Sequence, residues 1–231
     1  LKKYAIIVAG GTGQRMKSAV PKQFLLLQGK PILYHTLLQF TKAFSDIELI
    51  LVLPENQFNS WHNLCQEHPE ILQNCPHQLV QGGETRFHSS QRGIQAIREN
   101  QNTLVAIHDG VRPLVSIASI QNAFKHAQEH GNAVLAVSSK DSIRQWDANE
   151  QIYLPIDRNH IRIIQTPQVF EISILKRAFQ QDYQDFFTDD ASVVELLGID
   201  IQLVEGNYSN IKITTPEDML IAEALTQKVN I

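Results

Sequence analysis

Tyr4-Ala5-Ile6-Ile7-Val8-Ala9-Gly10-Gly11-Thr12-Gly13-Gln14-Arg15-Met16 is the stretch that decides the fold of this 231-residue chain. Its first half is short and wholly apolar, which suits a strand covered on both faces. Its second half delivers glycines to the end of that strand. In open α/β sheets this carboxyl edge is where ligands bind. Glycine there permits unusual backbone angles and lets amides come close to phosphate oxygens. A plain strand-to-helix turn has the same look, and the glycines alone leave both readings open.

Two phosphate-binding frames can be tested against the loop. A P-loop closes a longer glycine frame with Lys-Ser/Thr, whereas Gln14-Arg15 stands here. A dinucleotide fingerprint needs a third glycine, and Met16 occupies its place. Kinase and dehydrogenase readings are therefore disfavoured. The residues after the glycines are cationic: Arg15, then Pro21-Lys22-Gln23-Phe24, with Pro21 stiffening the chain before Lys22. Nucleotidyl transfer builds charge on an α-phosphate and on departing pyrophosphate, and fixed cations with backbone amides stabilise that charge. Exposed Arg and Lys are otherwise ordinary surface charges; the glycine loop and the proline beside them favour the catalytic reading.

Outward from the loop, strand and helix patterns alternate. Ile32–Phe44 has helical spacing, Glu48–Leu53 reads as strand and Gln57–Gln66 as helix. Strand is expected at Gln78–Gln81, Leu104–His108, Ala133–Val137 and Ile201–Val204. Helix is expected at Ser89–Arg98, Ser119–Glu129, Ile172–Phe179, Ala191–Leu197 and Glu217–Leu225. This alternation implies an α/β fold, Rossmann-like, with a mostly parallel sheet flanked by helices. Residues 140–164 break the rhythm, being polar and irregular with short alternating pieces at 152–154 and 161–164. They are expected to form a β-arm projecting from a single domain spanning residues 1–231.

Composition bounds the partners. Hydrophobic residues make up 43% and charged residues 19%, a globular balance, and the net charge of -4 argues against nucleic acid or a polybasic membrane patch. Cys65 and Cys75 mark neither a metal pair nor a disulfide framework. Lys2-Lys3 precede an apolar run, Ala5–Ala9, that is too short for a signal peptide, and no run reaches the length of a membrane span. A cytoplasmic enzyme is the expectation.

The loop and Pro21-Lys22-Gln23 resemble the signature of sugar-nucleotide pyrophosphorylase-type transferases. More narrowly they resemble the 2-C-methyl-D-erythritol 4-phosphate cytidylyltransferases of non-mevalonate isoprenoid synthesis. The likeness continues through Gly82-Gly83-Glu84-Thr85-Arg86, His108-Asp109-Gly110-Val111-Arg112-Pro113, Asp157-Arg158 and Gln165-Thr166-Pro167-Gln168. It ends with Thr188-Asp189-Asp190-Ala191-Ser192 and Asn210-Ile211-Lys212-Ile213-Thr214, so that it covers essentially the whole chain in order. The resemblance implies a fold of the nucleotide-diphospho-sugar transferase type. It implies CTP at Ala9, Gly10, Gly11, Gly13, Gly83, Ser89, Asp109 and Gly110, with Mg²⁺ beside Asp109. Transition-state stabilisation falls to Arg15 and Lys22. Positioning of the polyol phosphate falls to Arg158 and Lys212, with Asp109, Arg112, Ser142, Thr166 and Thr188 in contact. It also implies a homodimer in which the 140–164 arm reaches the neighbouring site.

Some readings come from the residues themselves. A hard cation travelling with a triphosphate prefers one or two carboxylates, which suits Asp109; capping the next turn is the plainer role. His108 is expected to be a satisfied strand-end histidine and not a general base. None is required, because a phosphate monoester with a second pKa near about 6 is already mostly dianionic. Asp189-Asp190 are expected to cap a helix rather than pair on a metal. Three departures stand out from the family pattern. Gly110 replaces a common alanine and is expected to loosen the pocket slightly, Ser142 replaces threonine, and Ser209 replaces an aspartate found in some members. Ribitol-5-phosphate cytidylyltransferase shares the loop and Tyr208-Ser209-Asn210-Ile211-Lys212, but Asp157-Arg158, Gln165–Gln168 and Thr188–Ser192 fit the methylerythritol branch better. Arg15, Lys22, Asp109 and Lys212 together argue against an inactive nucleotide-binding regulator.

Overall fold

A computed structural model describes residues 1–11 and 20–229. β1 (Lys2–Val8) leads through the small hairpin β2 (Leu26–Leu27) and β3 (Lys30–Pro31) to α1 (Ile32–Ala43). Next come β4 (Glu48–Leu53), α2 (Phe58–Glu67), α3 (Glu70–Asn74), β5 (His77–Gln81) and α4 (Arg86–Gln95). They are followed by β6 (Thr103–Asp109), α5 (Ile117–His130), β7 (Asn132–Ser138) and the hairpin β8 (Ile143–Asp147) with β9 (Ile152–Ile156). The chain closes with β10 (Arg162–Glu171), α6 (Ile172–Ala178), α7 (Asp190–Glu195), β11 (Leu203–Glu205) and α8 (Pro216–Val229). No helix among the described residues is long and apolar enough to cross a membrane.

Seven strands form one sheet in the order β11-β7-β10-β6-β1-β4-β5. Every neighbouring pair is parallel except those made by β10, which runs antiparallel to both β6 and β7. The mostly parallel, helix-flanked sheet is thus as expected. Alternation along each strand divides the core into two layers. Ala5, Ile7, Leu49, Leu51, Leu104 and Ala106 face α1, α2 and α5. Tyr4, Ile6, Ile50, Val52, Val105 and Ile107 face α4, α6 and α7. Burial on both faces accounts for the unbroken apolar reading of β1.

The arm needs one correction. Its hairpin, β8 with β9, projects as expected, but residues 162–164 do not belong to it. They open β10 and pair with β7, Arg162 opposite Ser138 and Ile164 opposite Ala136. The rest of β10, buried from Gln165 to Phe170, lies between β6 and β7 and escapes the sequence reading. The reason is local. A register shift between Ile164 and Gln168 interrupts the ladder, and Pro167, preceded by a cis bond, supplies no amide donor. A strand broken by proline and a bulge shows no clean period.

Candidate active site

The carboxyl ends of β1, β4 and β6 lie side by side, with Val8 in register with both Val52 and Asp109. Residues leaving these strands build a cleft. Ala9 donates its amide to the Val52 carbonyl at 3.0 Å, and Gly110 donates to Val8 at 2.9 Å, which seats the start of the glycine loop. Buried Gln23 donates to the Ala9 carbonyl at 2.8 Å, tying the Pro21-Lys22-Gln23 turn to the loop. Lys22 therefore runs alongside Gly11, where an added Cβ would touch its Cε at 3.5 Å. Across the cleft the Gly83 amide donates to Ser89 Oγ at 3.1 Å. Ala9, Gly10, Gly11, Lys22, Gly83, Ser89, Asp109 and Lys212 all line this space. Gly13 and Arg15 lie outside the described residues.

Gly110 does not leave a gap. An alanine Cβ there would fall 2.7 Å from Ala9 Cβ and 3.2 Å from Leu33 Cδ1, so neighbouring side chains already fill the space. The expected loosening is not found.

Asp109 is the electrostatic centre. It is 6% exposed and its carboxylate meets three cations: Arg112 Nε at 3.0 Å, Lys212 Nζ at 3.1 Å and Arg86 Nε at 3.5 Å. Burial alone would raise its pKa, but the pull of Arg86, Lys212 and Arg112 outweighs burial and holds the carboxyl far below the usual carboxylate range. Arg112 spends its other end on the Asn210 carbonyl at 2.8 Å, and the Ile213 amide donates to Val111 at 2.9 Å. These bonds clamp the segment carrying Lys212 against the turn after β6. Arg112 is thus committed to protein groups while lining a second cleft.

That second cleft adjoins the first, sharing Arg86, Asp109 and Lys212 with it, and is also lined by Arg112, Thr166, Thr188 and Asp189. Its floor contains a relay of hydrogen bonds. The Asp109 amide donates to Thr166 Oγ at 3.1 Å, Thr166 and His108 Nδ1 lie 2.9 Å apart, and His108 Nε2 lies 3.1 Å from the Arg112 carbonyl. A carbonyl can only accept, so Nε2 carries the proton; Nδ1 then accepts from the Thr166 hydroxyl. His108 is fully enclosed, and burial pushes its pKa down to about 4. A neutral, doubly bonded histidine is a satisfied one, in line with the expectation.

The Asp189-Asp190 pair splits into two roles. Asp189 caps α7 through a capping box with Ser192. Asp190, 1% exposed, accepts from Arg86 Nη2 at 2.6 Å and from Ser90 Oγ at 2.8 Å. Arg86 is missed by a sequence reading that dwells on the glycines before it. A readable signal is present: a cation in the first turn of a helix opposes the helix dipole and needs another reason to be there.

Ser142 and Arg158 line neither cleft. Both are exposed on the arm, where Arg158 donates to the Lys140 carbonyl at 2.7 Å. Around them Trp146, Ile152, Tyr153, Leu154, Ile163 and Ile164 are exposed.

A glycine loop at a sheet switch point, adjoining a second cleft across a shared carboxylate and its cations, defines a nucleotidyltransferase of the α/β class. The family model for 2-C-methyl-D-erythritol 4-phosphate cytidylyltransferase matches residues 4–228. A Bacteroides thetaiotaomicron protein of that name is 44% identical over 226 residues, 97% of this chain and 100% of that protein. One from Azobacteroides pseudotrichonymphae is 47% identical over 226 residues, 97% of this chain and 98% of that protein. The crystal structure of 4-diphosphocytidyl-2C-methyl-D-erythritol synthase from Anaerococcus prevotii superimposes with a TM-score of 0.81 at 27% identity, covering 98% of this chain and 96% of that one. The Francisella tularensis cytidylyltransferase structure gives 0.77 at 31%, covering 97% and 99%. The chain belongs to the 2-C-methyl-D-erythritol 4-phosphate cytidylyltransferase family.

Proposed function

We propose that the chain transfers the cytidylyl group of CTP to 2-C-methyl-D-erythritol 4-phosphate, giving 4-diphosphocytidyl-2-C-methyl-D-erythritol and pyrophosphate in non-mevalonate isoprenoid synthesis. The observation that carries this reading is the pair of adjoining clefts sharing Arg86, Asp109 and Lys212. CTP occupies the cleft of Gly10, Gly11, Lys22, Gly83 and Ser89; the polyol phosphate occupies that of Arg112, Thr166 and Thr188. An oxygen of the polyol phosphate attacks the α-phosphorus. The new P–O bond forms as the α–β bridging bond breaks, and pyrophosphate leaves with the electron pair. No proton need move, which agrees with a buried, neutral His108. The work of the protein is to hold two polyanions together and stabilise charge at phosphorus. Lys22 and Arg15 act on the triphosphate, and Lys212 on the incoming phosphate.

The donor set fits Mg²⁺ brought in by the triphosphate. Asp109 is ionised and lines both clefts, and Arg112 and Lys212 make their contacts with its Oδ2 while Arg86 Nε stands 3.5 Å from Oδ1, so Oδ1 would be the protein ligand. When bound, the metal would neutralise phosphate charge. Among the described residues a group of three side chains able to hold an ion, His126, Glu129 and His130, lies on α5 and lines neither cleft.

The arm, residues 140–161 once the start of β10 is set apart, serves a homodimer within a single-domain chain. Its exposed Trp146, Ile152, Tyr153 and Leu154 form an apolar surface that a second copy would cover, carrying Ser142 and Arg158 to the neighbouring polyol cleft. The buried free thiols of Cys65 and Cys75 suit the reducing cytoplasm. The deciding experiment supplies CTP and Mg²⁺ and measures pyrophosphate. Release is expected with methylerythritol phosphate and far less with ribitol 5-phosphate. The opposite preference would replace the substrate, and release with neither would leave a nucleotide-binding protein without transferase activity.

A further inference from the structure

We propose that Arg86 is a positioning residue that sets the distance and orientation between the two clefts, and so acts on turnover rather than on binding of either substrate. The proposal rests on the assignment of the clefts to CTP and the polyol phosphate.

The case starts from where Arg86 sits. It opens α4 directly after Thr85, whose side chain caps the helix by accepting from the His88 amide. A cation in this first turn faces the positive end of the helix dipole, so the helix gains nothing from it. The side chain is largely buried, with 27% of its surface exposed, and forms a wall common to both clefts. Its guanidinium meets carboxylates from two distant parts of the chain. Nη2 donates to Asp190 at 2.6 Å, and Nε lies 3.5 Å from Asp109 Oδ1.

Arg86 belongs to one rim and Asp190 to the other, with Asp109 shared between them. Asp190 begins α7, directly after Thr188 and Asp189 of the polyol cleft, and Ser90 one turn along α4 holds its other oxygen at 2.8 Å. Gly83, Glu84 and Thr85, just before Arg86, line the CTP cleft. Asp109 lies between the two spaces. The polyol rim also has its own anchor: Gln168 on β10 donates to Asp189 at 2.8 Å and accepts from the Ala191 amide at 2.8 Å. That anchor fixes the rim to the sheet. Arg86, with Ser90 one turn along the same helix, fixes it to the opposite rim. A planar fork can meet two carboxylates in one geometry, whereas an ammonium is a point charge on a flexible stem. In-line attack depends on the relative placement of the two phosphates, and an error of about 1 Å can cost on the order of 100-fold in rate.

The test uses the full-length chain with CTP, Mg²⁺ and methylerythritol phosphate, measuring kcat, both KM values and CTP affinity by calorimetry. Arg86→Lys keeps the charge but loses the fork, and should lower kcat about 100-fold while each KM and the CTP Kd move less than about fivefold. Asp190→Asn cuts the same link at its other end and should reproduce that pattern. Combining the two should add little, because they break one interaction. Ile120→Val, a core change on α5, gives the effect of lost stability alone: a lower Tm with kcat at room temperature unchanged. Should Arg86→Lys fail to fold, Asp190→Asn decides by itself. The proposal is overturned if kcat stays within about threefold of wild type in the folded variants. It is equally overturned if the loss lies wholly in one KM, which would make Arg86 a plain ligand of that substrate. Wild-type turnover with unaffected variants removes this proposal and leaves the functional reading intact. A wild-type chain that turns over neither polyol phosphate removes both.

Discussion

Acidification should weaken this fold in a way that one buried side chain controls. His108 is held neutral by burial, with Nε2 donating to the Arg112 carbonyl and Nδ1 accepting from Thr166. Its pKa drops from 6.5 to about 4 on folding. Below pH 6.5 the unfolded chain takes up a proton that the folded chain refuses, so stability is lost as pH falls, down to the folded value near 4. Across that whole window the loss amounts to about 3 kcal/mol, and between about pH 7 and pH 5 to about 2 kcal/mol. Protonation also costs geometry. A proton on Nδ1 would point at Thr166 Oγ, which already accepts from the Asp109 amide, and the Thr166 hydroxyl would lose its acceptor. His35 and His77 are half-buried and also have lowered pKa values, so wild-type data alone would mix several residues. His108→Gln removes the titration while keeping an amide to reach the Arg112 carbonyl. Urea unfolding of both proteins at about pH 7 and pH 5 isolates the contribution of His108. The wild type should lead at the higher pH, and its lead should shrink by about 2 kcal/mol at the lower. A lead that stays constant within about 0.5 kcal/mol would mean His108 does not titrate as argued.

Three other outcomes bear on the site. Lys22→Ala and Lys212→Ala should each lower kcat/KM by about 100-fold or more, with circular dichroism and Tm near wild type, because Lys212 is 40% exposed and Asp109 keeps Arg86 and Arg112 as partners without it; near-normal turnover would remove their assigned roles. Gly110→Ala should destabilise by about 1–3 kcal/mol in urea titrations and raise the KM for CTP, since its Cβ would fall 2.7 Å from Ala9 Cβ at the root of the glycine loop. Mixing inactive Lys22→Ala with inactive Arg158→Ala should restore up to about a quarter of wild-type activity, because a heterodimer with arms exchanged regains one intact site; no recovery in mixed dimers would place Arg158 in its own chain's site.

How far the sequence can be read depends on the kind of signal each element leaves. β1, β4, β6 and β7 are buried on both faces, and their apolar runs announce themselves. β10 sits just as deep in the sheet but carries Gln165, Thr166, Pro167 and Gln168 through its middle. The three polar ones serve the second cleft and its rim: Gln165 donates to the Asn207 carbonyl, Thr166 bonds Asp109 and His108, and Gln168 caps α7. The strand is hidden by its own function. Asp109 and Lys212 can be found from their motifs. Their mutual distance, and the approach of Arg86 to Asp109, depend on β6, α4 and the segment after β11 meeting in space, which no local pattern encodes.

The charges at this site make sense only with the substrates in mind. Asp109 with Arg86, Arg112 and Lys212 leaves a surplus of positive charge, and Lys22 adds to it from across the cleft. A protein assembled for stability alone would not gather cations around one small carboxylate, because like charges at this range repel and burial adds a desolvation cost. Asp109 offsets part of that repulsion and keeps the cations in place while the clefts are empty. A triphosphate and a phosphate monoester supply the remaining anionic charge when they arrive. Lys212 is the cation best suited to exchange partners. It is 40% exposed, while Arg112 and Arg86 are committed at their other ends to the Asn210 carbonyl and to Asp190. On the proposed assignment of the clefts, Asp109 is the resting partner of Lys212, and an arriving polyol phosphate would compete for the same ammonium.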